Sequence, residues 1–405
     1  MSKTSGLGDA AFVGGYDLSG DVASLDKISG GPNLLDVTPI NKSAHVRIGA
    51  LRSGEIDFTS WFEEGYSSSN PVFEHDALAP LPRTDEVVSY FRGTAIGNPA
   101  ASLYGKQVNY DPTRGNDGSL SVKVQAMSDG YGLEWGQQLT AGLFAASNAL
   151  TGSNSTFESG AGNWVLGTNS TVAQSSAQHH SGSDSLAITS VSSGDMTALS
   201  AAAGSYATEM FAVVPGNVVN VQAWVRSAVS ARTCSVGLDY YKSDGTHVST
   251  VYGTGVADTT SGWTLITATL VVPATSAWAA VNVKVASTGA GSEVHYVDDV
   301  EYFLLPSSLD TSASANFGAQ AYLHVTAFTG TDATVAIYDS ADNVSFSAVS
   351  GLAFTQTTAI GSQRTSIANS ATVRRYIAPV VTTSGGFTAL SFAVNLTKNT
   401  LAVVF

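Results

Sequence analysis

Along this chain apolar residues recur at every second position in short runs separated by glycine-rich turns, the pattern of half-buried β-strands. Near the C-terminal end Leu390, Phe392, Val394 and Leu396 fall on one face. Residues 119–126 alternate cleanly after an Asn116-Asp117-Gly118 turn, and 131–140 is placed to pair with them. Residues 45–51 and 55–61 alternate around Arg52-Ser53-Gly54, which predicts a hairpin. Further strands are predicted at 87–92, 101–110, 324–328, 334–338 and 373–380. Residues 1–42 gather Gly, Asp and Pro around small apolar spots (Phe12-Val13, Leu34-Leu35), which reads as an arm with one or two short strands. Phe73, Ala77, Leu78 and Leu81 sit at helical spacing before Pro82, so one short helix is predicted there.

A segment of one domain's length interrupts this unit. It opens at Asn148, soon reaches Phe157-Glu158, and closes with Tyr296-Val-Asp298-Asp299-Val300. Strands are predicted inside it at 185–190, 206–213, 218–226, 235–241, 264–271, 281–286 and 293–303, with turns at Pro215-Gly216-Asn217 and Ser243-Asp244-Gly245. Seven short strands of this kind make a sandwich or jelly roll. The chain thus reads as all-β: a barrel or sandwich with a long N-terminal arm and one helix, built from 1–147 and 306–405, with a jelly-roll β-sandwich inserted at 148–305.

The flanking parts resemble the major tail (tail tube) proteins of long-tailed bacteriophages of actinobacteria. The stretches that carry this are Leu25-Asp-Lys-Ile-Ser-Gly-Gly, Asp36-Val-Thr-Pro-Ile-Asn-Lys-Ser-Ala-His45, Ala77-Leu-Ala-Pro-Leu-Pro-Arg-Thr-Asp85 and Tyr110-Asp-Pro-Thr-Arg-Gly-Asn-Asp-Gly-Ser-Leu120. Gln320-Ala-Tyr-Leu-His-Val325 and Asp339-Ser-Ala-Asp-Asn-Val-Ser-Phe346 are similar to the same family's C-terminal part. The resemblance implies a virion protein made and assembled in a host cytoplasm. Its subunits would stack in rings, usually hexameric, around a channel through which DNA passes without specific binding. Tail terminator, tape measure and baseplate proteins are the implied partners.

The inserted segment resembles the β-sandwich carbohydrate-binding modules of bacterial glycoside hydrolases. It does so through Phe157-Glu158-Ser-Gly, Gly182-Ser-Asp-Ser-Leu186, Val214-Pro-Gly-Asn217, Ala223-Trp224-Val225, Asp239-Tyr-Tyr241, Gly262-Trp263, Val271-Val-Pro273 and Tyr296-Val-Asp298-Asp299-Val300. The usual asparagine-proline-glycine before the Phe-Glu pair is replaced by Ser155-Thr156. The resemblance implies a structural calcium ion tying the N-terminal segment to the last strand, with Glu158 and Asp298 as its carboxylates. Sugar binding needs an aromatic platform beside hydrogen-bonding groups. Period two assigns Val219, Val221, Ala223 and Val225 to the core and Gln222, Trp224 and Arg226 to the opposite face. It likewise turns out Asp239 and Tyr241, and Asn282 and Lys284. Trp224 and Tyr241 as platforms, with Gln222 and Asn282 as hydrogen-bond partners, are therefore expected to line one concave sheet face; Trp164 and Trp263 read as core.

Composition narrows the function further. Charged residues are only 12% and the formal net charge is -14. The excess acid lies before residue 306, and Arg374-Arg375 is the only basic doublet, so a nucleic-acid binder is excluded. The single cysteine, Cys234, excludes an internal disulfide and a thiolate metal cluster and reads as a small buried hydrophobe. Nothing approaches the roughly 18 apolar residues of a membrane span, and the first eight residues carry no apolar stretch of secretory length. Asp298 and Asp299, as neighbours on a strand, should point to opposite faces and so cannot form a glycosidase pair. His179-His180 reads as a solvated loop, and no catalytic motif occurs. The chain is expected not to be an enzyme. The competing readings are a capsid or decoration protein and an exported polysaccharide-binding protein.

Overall fold

A computed structural model of the chain describes residues 8–63, 74–80, 85–206 and 208–401. Among them, the only helical pieces are Glu74–Leu78 and a single 3-10 turn at Gly152–Asn154. The ends of the predicted helix, Phe73 and Leu81, lie outside the described residues, but Ala77 and Leu78 are buried in one cluster with Ile56, Phe58 and Val124. The first seven residues, on which the reading of the chain start rests, also lie outside.

Eleven strands drawn from both ends of the chain share one sheet. Its main path runs Tyr16–Asp17, Ala10–Val13, Glu86–Phe91, Pro99–Arg114, Leu120–Gln138, Phe387–Lys398, Ala319–Gly330, Gly361–Ser366. Val22–Asp36 and Arg47–Trp61 branch from Leu120–Gln138, and Phe144–Ala146 pairs with Phe387–Lys398. A four-stranded sheet (Leu309–Asp310, Tyr376–Thr382, Thr334–Ser340, Ser347–Ala353) packs on it. Leu390, Phe392, Val394 and Leu396, the stripe seen in the sequence, meet Val335, Ile337 and Ile377 in that core.

Two strand readings change. Residues 45–61 do not turn at Arg52-Ser53-Gly54: Arg47–Trp61 is one strand, and its partner is Val22–Asp36, inside the predicted arm. A Cβ on Gly54 would sit 2.3 Å from the Leu133 backbone nitrogen, so that glycine serves a close strand crossing and not a turn. Similarly, 119–126 and 131–140 do not pair with each other. Both belong to Leu120–Gln138, which runs beside Pro99–Arg114, and Gly130 and Gly132 absorb its bend at φ 79° and 75°. In both cases long-range pairing satisfies more backbone groups than a local turn would.

Between Phe144–Ala146 and Leu309–Asp310 lie two more sheets. One has five strands in the order Ser170–Ser175, Ser185–Ser190, Val294–Leu304, Val218–Ser227, Thr264–Val271. The other has seven, with main path His247–Tyr252, Thr233–Tyr241, Trp278–Thr288, Gly194–Leu199, Val165–Leu166. Val219, Val221, Ala223 and Val225 from the first face Val236, Leu238, Val281, Val283 and Val285 from the second in a closed core, each fully buried side chain contributing about 1.5–3 kcal/mol. Trp164 joins this core edge-on to Phe157, with Nε1 donating to the Asn154 carbonyl at 2.9 Å. The chain enters and leaves at one place, since the Ala149 amide donates to the Tyr302 carbonyl (2.9 Å) and the Tyr302 amide to Asn148 Oδ1 (3.0 Å).

Candidate functional site

The core side of the seven-stranded sheet takes Val236, Leu238, Tyr240, Val281, Val283 and Val285, so alternation turns Gly237, Asp239, Tyr241, Asn282 and Lys284 outward. Register sets Tyr252, Gly237 and Asn282 side by side across three strands. Gly237 lets the strand of Tyr252 come close, since a Cβ there would lie 2.1 Å from the Val251 carbonyl oxygen and 2.8 Å from the Tyr252 ring. Beside this row, Asp239 Oδ1 accepts from Thr250 Oγ1 at 2.6 Å and from Asn282 Nδ2 at 3.1 Å. Lys284 Nζ stands 5.2 Å from the Tyr252 ring centroid and 3.5 Å from Asp195. Burial, then Asp239 and Asp195, push the Tyr252 phenol up, so it keeps its proton and can donate. Asn282 Oδ1 is buried and has no hydrogen-bond partner. A buried acceptor left open costs about 1–3 kcal/mol, and here it borders an outward-facing cluster of carboxylate, ammonium and phenol.

Tyr241 lies on this face but is not a free platform. It is buried with Ala201, Met210 and Ala280, with the Tyr206 ring at 5.6 Å and His247 edge-on at 5.3 Å. Tyr206 opens the predicted strand 206–213, of which Phe211–Ala212 is a strand while Tyr206 lies in a turn. It folds over Tyr241 and donates to the Gly245 carbonyl at 2.8 Å. Tyr252, the aromatic wall beside the open acceptor, was missed because its strand, His247–Tyr252, is too polar to show an alternating pattern.

Gln222 and Trp224 belong to the other sheet, so the four expected sugar-binding residues do not line one face. The reason is strand order: Val218–Ser227 and Thr233–Tyr241 follow each other in sequence but cross the core into different sheets. Gln222 is buried, its Nε2 donating to Glu301 Oε2 (2.8 Å) and the Thr383 carbonyl (2.7 Å). Here the five-stranded sheet packs on the C-terminal part. Asn220 Nδ2 donates to the Val381 carbonyl (3.1 Å), and Phe303 stacks on Phe387 with centroids 4.9 Å apart. Trp224 is half-buried under the His180 imidazole, the rings nearly parallel (14°) and 4.0 Å apart. Trp263, read as core, is half-buried against the edge of the same imidazole. A cleft of about 550 Å³ remains beside these groups, lined by His180, Gln222, Trp224, Asp299 and Glu301 among others.

His180 is therefore no solvated loop residue; only His179 is exposed. Its acid partner was hidden by sequence distance: His180 Nδ1 lies 2.7 Å from Asp299 Oδ2. Asp298 and Asp299 do not diverge as strand neighbours should. Asp299 has φ 44° beside a bulge in the ladder with Val218–Ser227, and both carboxylates reach one segment. Asp298 Oδ2 accepts the amides of His180 (2.7 Å) and Ser181 (3.2 Å), its Oδ1 accepts the Asp299 amide (2.8 Å), and Asp299 Oδ1 accepts Ser181 Oγ (2.7 Å). Glu158 grips the same segment through the amides of Ser183 (3.0 Å to each oxygen) and Asp184 (3.2 Å). The expected calcium ligands thus face N–H donors, whose partial charge repels a cation. The donor set does not fit calcium; it fits an anionic clamp on residues 180–184.

Burial pushes two acids on this strand up. Asp298 rises to about 7 through burial and then Asp299, against the pull of three amides. Glu301 rises to about 8 through burial, then Asp299 and Asp332.

Comparisons with known proteins bear on the inserted segment. Among solved structures, the xylan-binding domain of Paenibacillus barcinonensis Xyn10C is 14% identical, covering 42% of this chain and 95% of its own, at a TM-score of 0.29. The C-terminal family 22 carbohydrate binding module of Clostridium thermocellum Xyn10B is 18% identical, covering 37% and 90%, at 0.31. The enzymatically active domain of bacteriophage CBA120 tailspike protein 4 is 17% identical, covering 39% and 21%, at 0.28. No curated protein matches the chain. Residues 151–291 match the family model described as a carbohydrate binding domain, so the sandwich carries the sequence pattern of such a domain.

Proposed function

We propose that the chain is a self-assembling structural subunit that displays a glycan-binding sandwich. The glycan reading is carried by the row Tyr252, Gly237, Asn282: an aromatic ring drawn close across a glycine to a buried amide oxygen with no partner. A pyranose offers an apolar C–H face to the ring and hydroxyls to Asn282, Asp239 and Lys284. The test is co-sedimentation of assembled protein with bacterial cell walls and a panel of soluble polysaccharides. Tyr252→Ala and Asn282→Ala are each expected to weaken a single site roughly five- to tenfold, as a loss of about 1 kcal/mol or more implies. Multivalency along an assembly then turns that into loss of retention. Unchanged retention in both variants refutes the reading, and loss in Trp224→Ala alone would move the site to the cleft beside Gln222.

Assembly is supported by the Val22–Asp36/Arg47–Trp61 hairpin. Leu34, Leu35, Ile48 and Leu51 stand exposed on it, Leu51 at 87%, and Ile40 in its loop is fully exposed. An apolar surface of this kind calls for a partner. The resemblance of residues 1–147 and 306–405 to tail tube proteins makes that partner a second copy of the chain, in stacked rings within a phage tail. Electron microscopy of the purified protein should show rings or tubes. The same is expected of a chain whose residues 148–305 are replaced by a short linker, because entry and exit of that segment adjoin. The double variant Leu34→Ser, Leu51→Ser should stay folded and form no tubes. Monomers only from the unaltered chain, or normal tubes from the double variant, would defeat the proposal.

A further inference from the structure

Cys234, Asp258 and His295 come together at one end of the sandwich from three elements: the strand Thr233–Tyr241, the residue after Val256–Ala257, and the strand Val294–Leu304. One ligand atom from each lies within 4.8 Å of the others, and all three residues are buried. Cys234 was read as an inert small hydrophobe, yet its neighbours here are an imidazole and a carboxylate. His295 Nδ1 lies 2.6 Å from Asp258 Oδ2. On the other side of the ring, Nε2 lies 3.2 Å from Glu293 Oε1. Glu293 is fixed in turn: Arg232 Nε and Nη2 donate to it at 2.6 and 3.0 Å, and the Gly289 amide at 2.8 Å. The Arg232 contact comes first among the causes that hold its carboxyl at about 2.

A carboxylate that takes the Nε2 proton orients the ring and raises the basicity of the other nitrogen, the usual support of a metal-binding histidine. Here that other nitrogen points at the thiol and the second carboxylate. We propose that the sandwich binds one divalent cation of the zinc class through Cys234 Sγ, Asp258 carboxylate and His295 Nδ1. Thiol sulfur, imidazole nitrogen and carboxylate oxygen are a borderline-soft set that suits zinc and not calcium or magnesium.

Binding needs Sγ as thiolate and Nδ1 without a proton, so metal affinity depends on pH. Metal bonds of about 2.0–2.3 Å place ligand atoms roughly 3.3–3.7 Å apart, so the Asp258–His295 pair has only to open by a fraction of an ångström. The Arg232 carbonyl, 3.7 Å from Sγ, is an oxygen at hand for a fourth position.

The test uses the full chain, stripped with chelator and then titrated with Co²⁺. Stoichiometric binding should give visible d–d bands and a near-ultraviolet thiolate-to-cobalt band, both bleached by Zn²⁺. Zinc should raise the thermal midpoint by mass action. Cys234→Ala, a small replacement at a strand position of the core, should keep the strand-type circular dichroism and lose the near-ultraviolet band. Folded unaltered protein that retains no zinc, or binds cobalt without the thiolate band, overturns the proposal. Should Cys234→Ala fail to fold, the cobalt spectrum of the unaltered chain decides alone.

Discussion

Stability of the unaltered chain is expected to fall from about pH 4.5 to about pH 8, and Glu301→Gln to remove its share of that slope, which is the dominant share between about pH 7 and 8. Glu301 lies where the sandwich meets the C-terminal part, and burial, then Asp299 and Asp332, raise its carboxyl from 4.5 to about 8. Below pH 4.5 the group is protonated in both folded and unfolded chains. Between the two values the unfolded chain has released the proton and the folded chain has not. Unfolding then sheds a proton, and stability drops by up to about 1.4 kcal/mol per pH unit. Above about 8 both states are ionised and the decline stops. Asp298, raised from 3.8 to about 7, acts with the same sign over its own window. Glu293, held at about 2, acts oppositely and only on the acid side, its contribution being lost as pH falls from 4.5 through 2. Glutamine at position 301 keeps an acceptor for Gln222 Nε2 and carries no charge. Thermal unfolding by circular dichroism from pH 4.5 to 8.5 should give matching midpoints at the acid end and a higher midpoint for Glu301→Gln at pH 8. Parallel curves would show that the junction carboxyl is not protonated in the folded chain.

Asp298→Ala should destabilise the sandwich by about 3 kcal/mol or more. The side chain is fully buried and accepts three part-buried amides, from His180, Ser181 and Asp299, and each such hydrogen bond to a carboxyl contributes about 1 kcal/mol or more. Freeing residues 180–184 also lifts the His180 ring from Trp224, so tryptophan fluorescence should report the change before the core melts. Because the carboxylate oxygens face N–H groups, chelator should leave the melting of the unaltered chain at this site untouched. To keep the zinc-class site from confusing the result, the comparison is made in the Cys234→Ala background. A chelator effect there as large as that of Asp298→Ala would restore the calcium role and remove the clamp.

Period two along single strands was legible from the residues alone. The apolar sets Val219 to Val225, Val281 to Val285 and Leu390 to Leu396 are buried as the alternation requires, because a strand with one buried face has no other way to place them. The all-β class followed from the same local information; the resemblance of the inserted segment to carbohydrate-binding modules rested on separate stretches of sequence and is matched over residues 151–291. What strands do to one another is not local. Arg52-Ser53-Gly54 has the composition of a turn, yet Val22–Asp36 offers a ladder along the whole of Arg47–Trp61, and a continuous pairing outweighs a local one. Gln222 and Trp224 alternate outward as read, but outward on their sheet means toward Thr383 and His180, since only packing decides what covers a face. His180 meets Asp299 across 119 residues, and Cys234 meets Asp258 and His295 across strands from both sheets. Alternation tells a side chain which way to point, and the energy of pointing there is set by groups far away in sequence. Asn282, Asp239 and Lys284 were therefore nameable in advance as outward-facing residues, while Tyr252, Asp258, His295 and the partners of all of them came only from the folded chain.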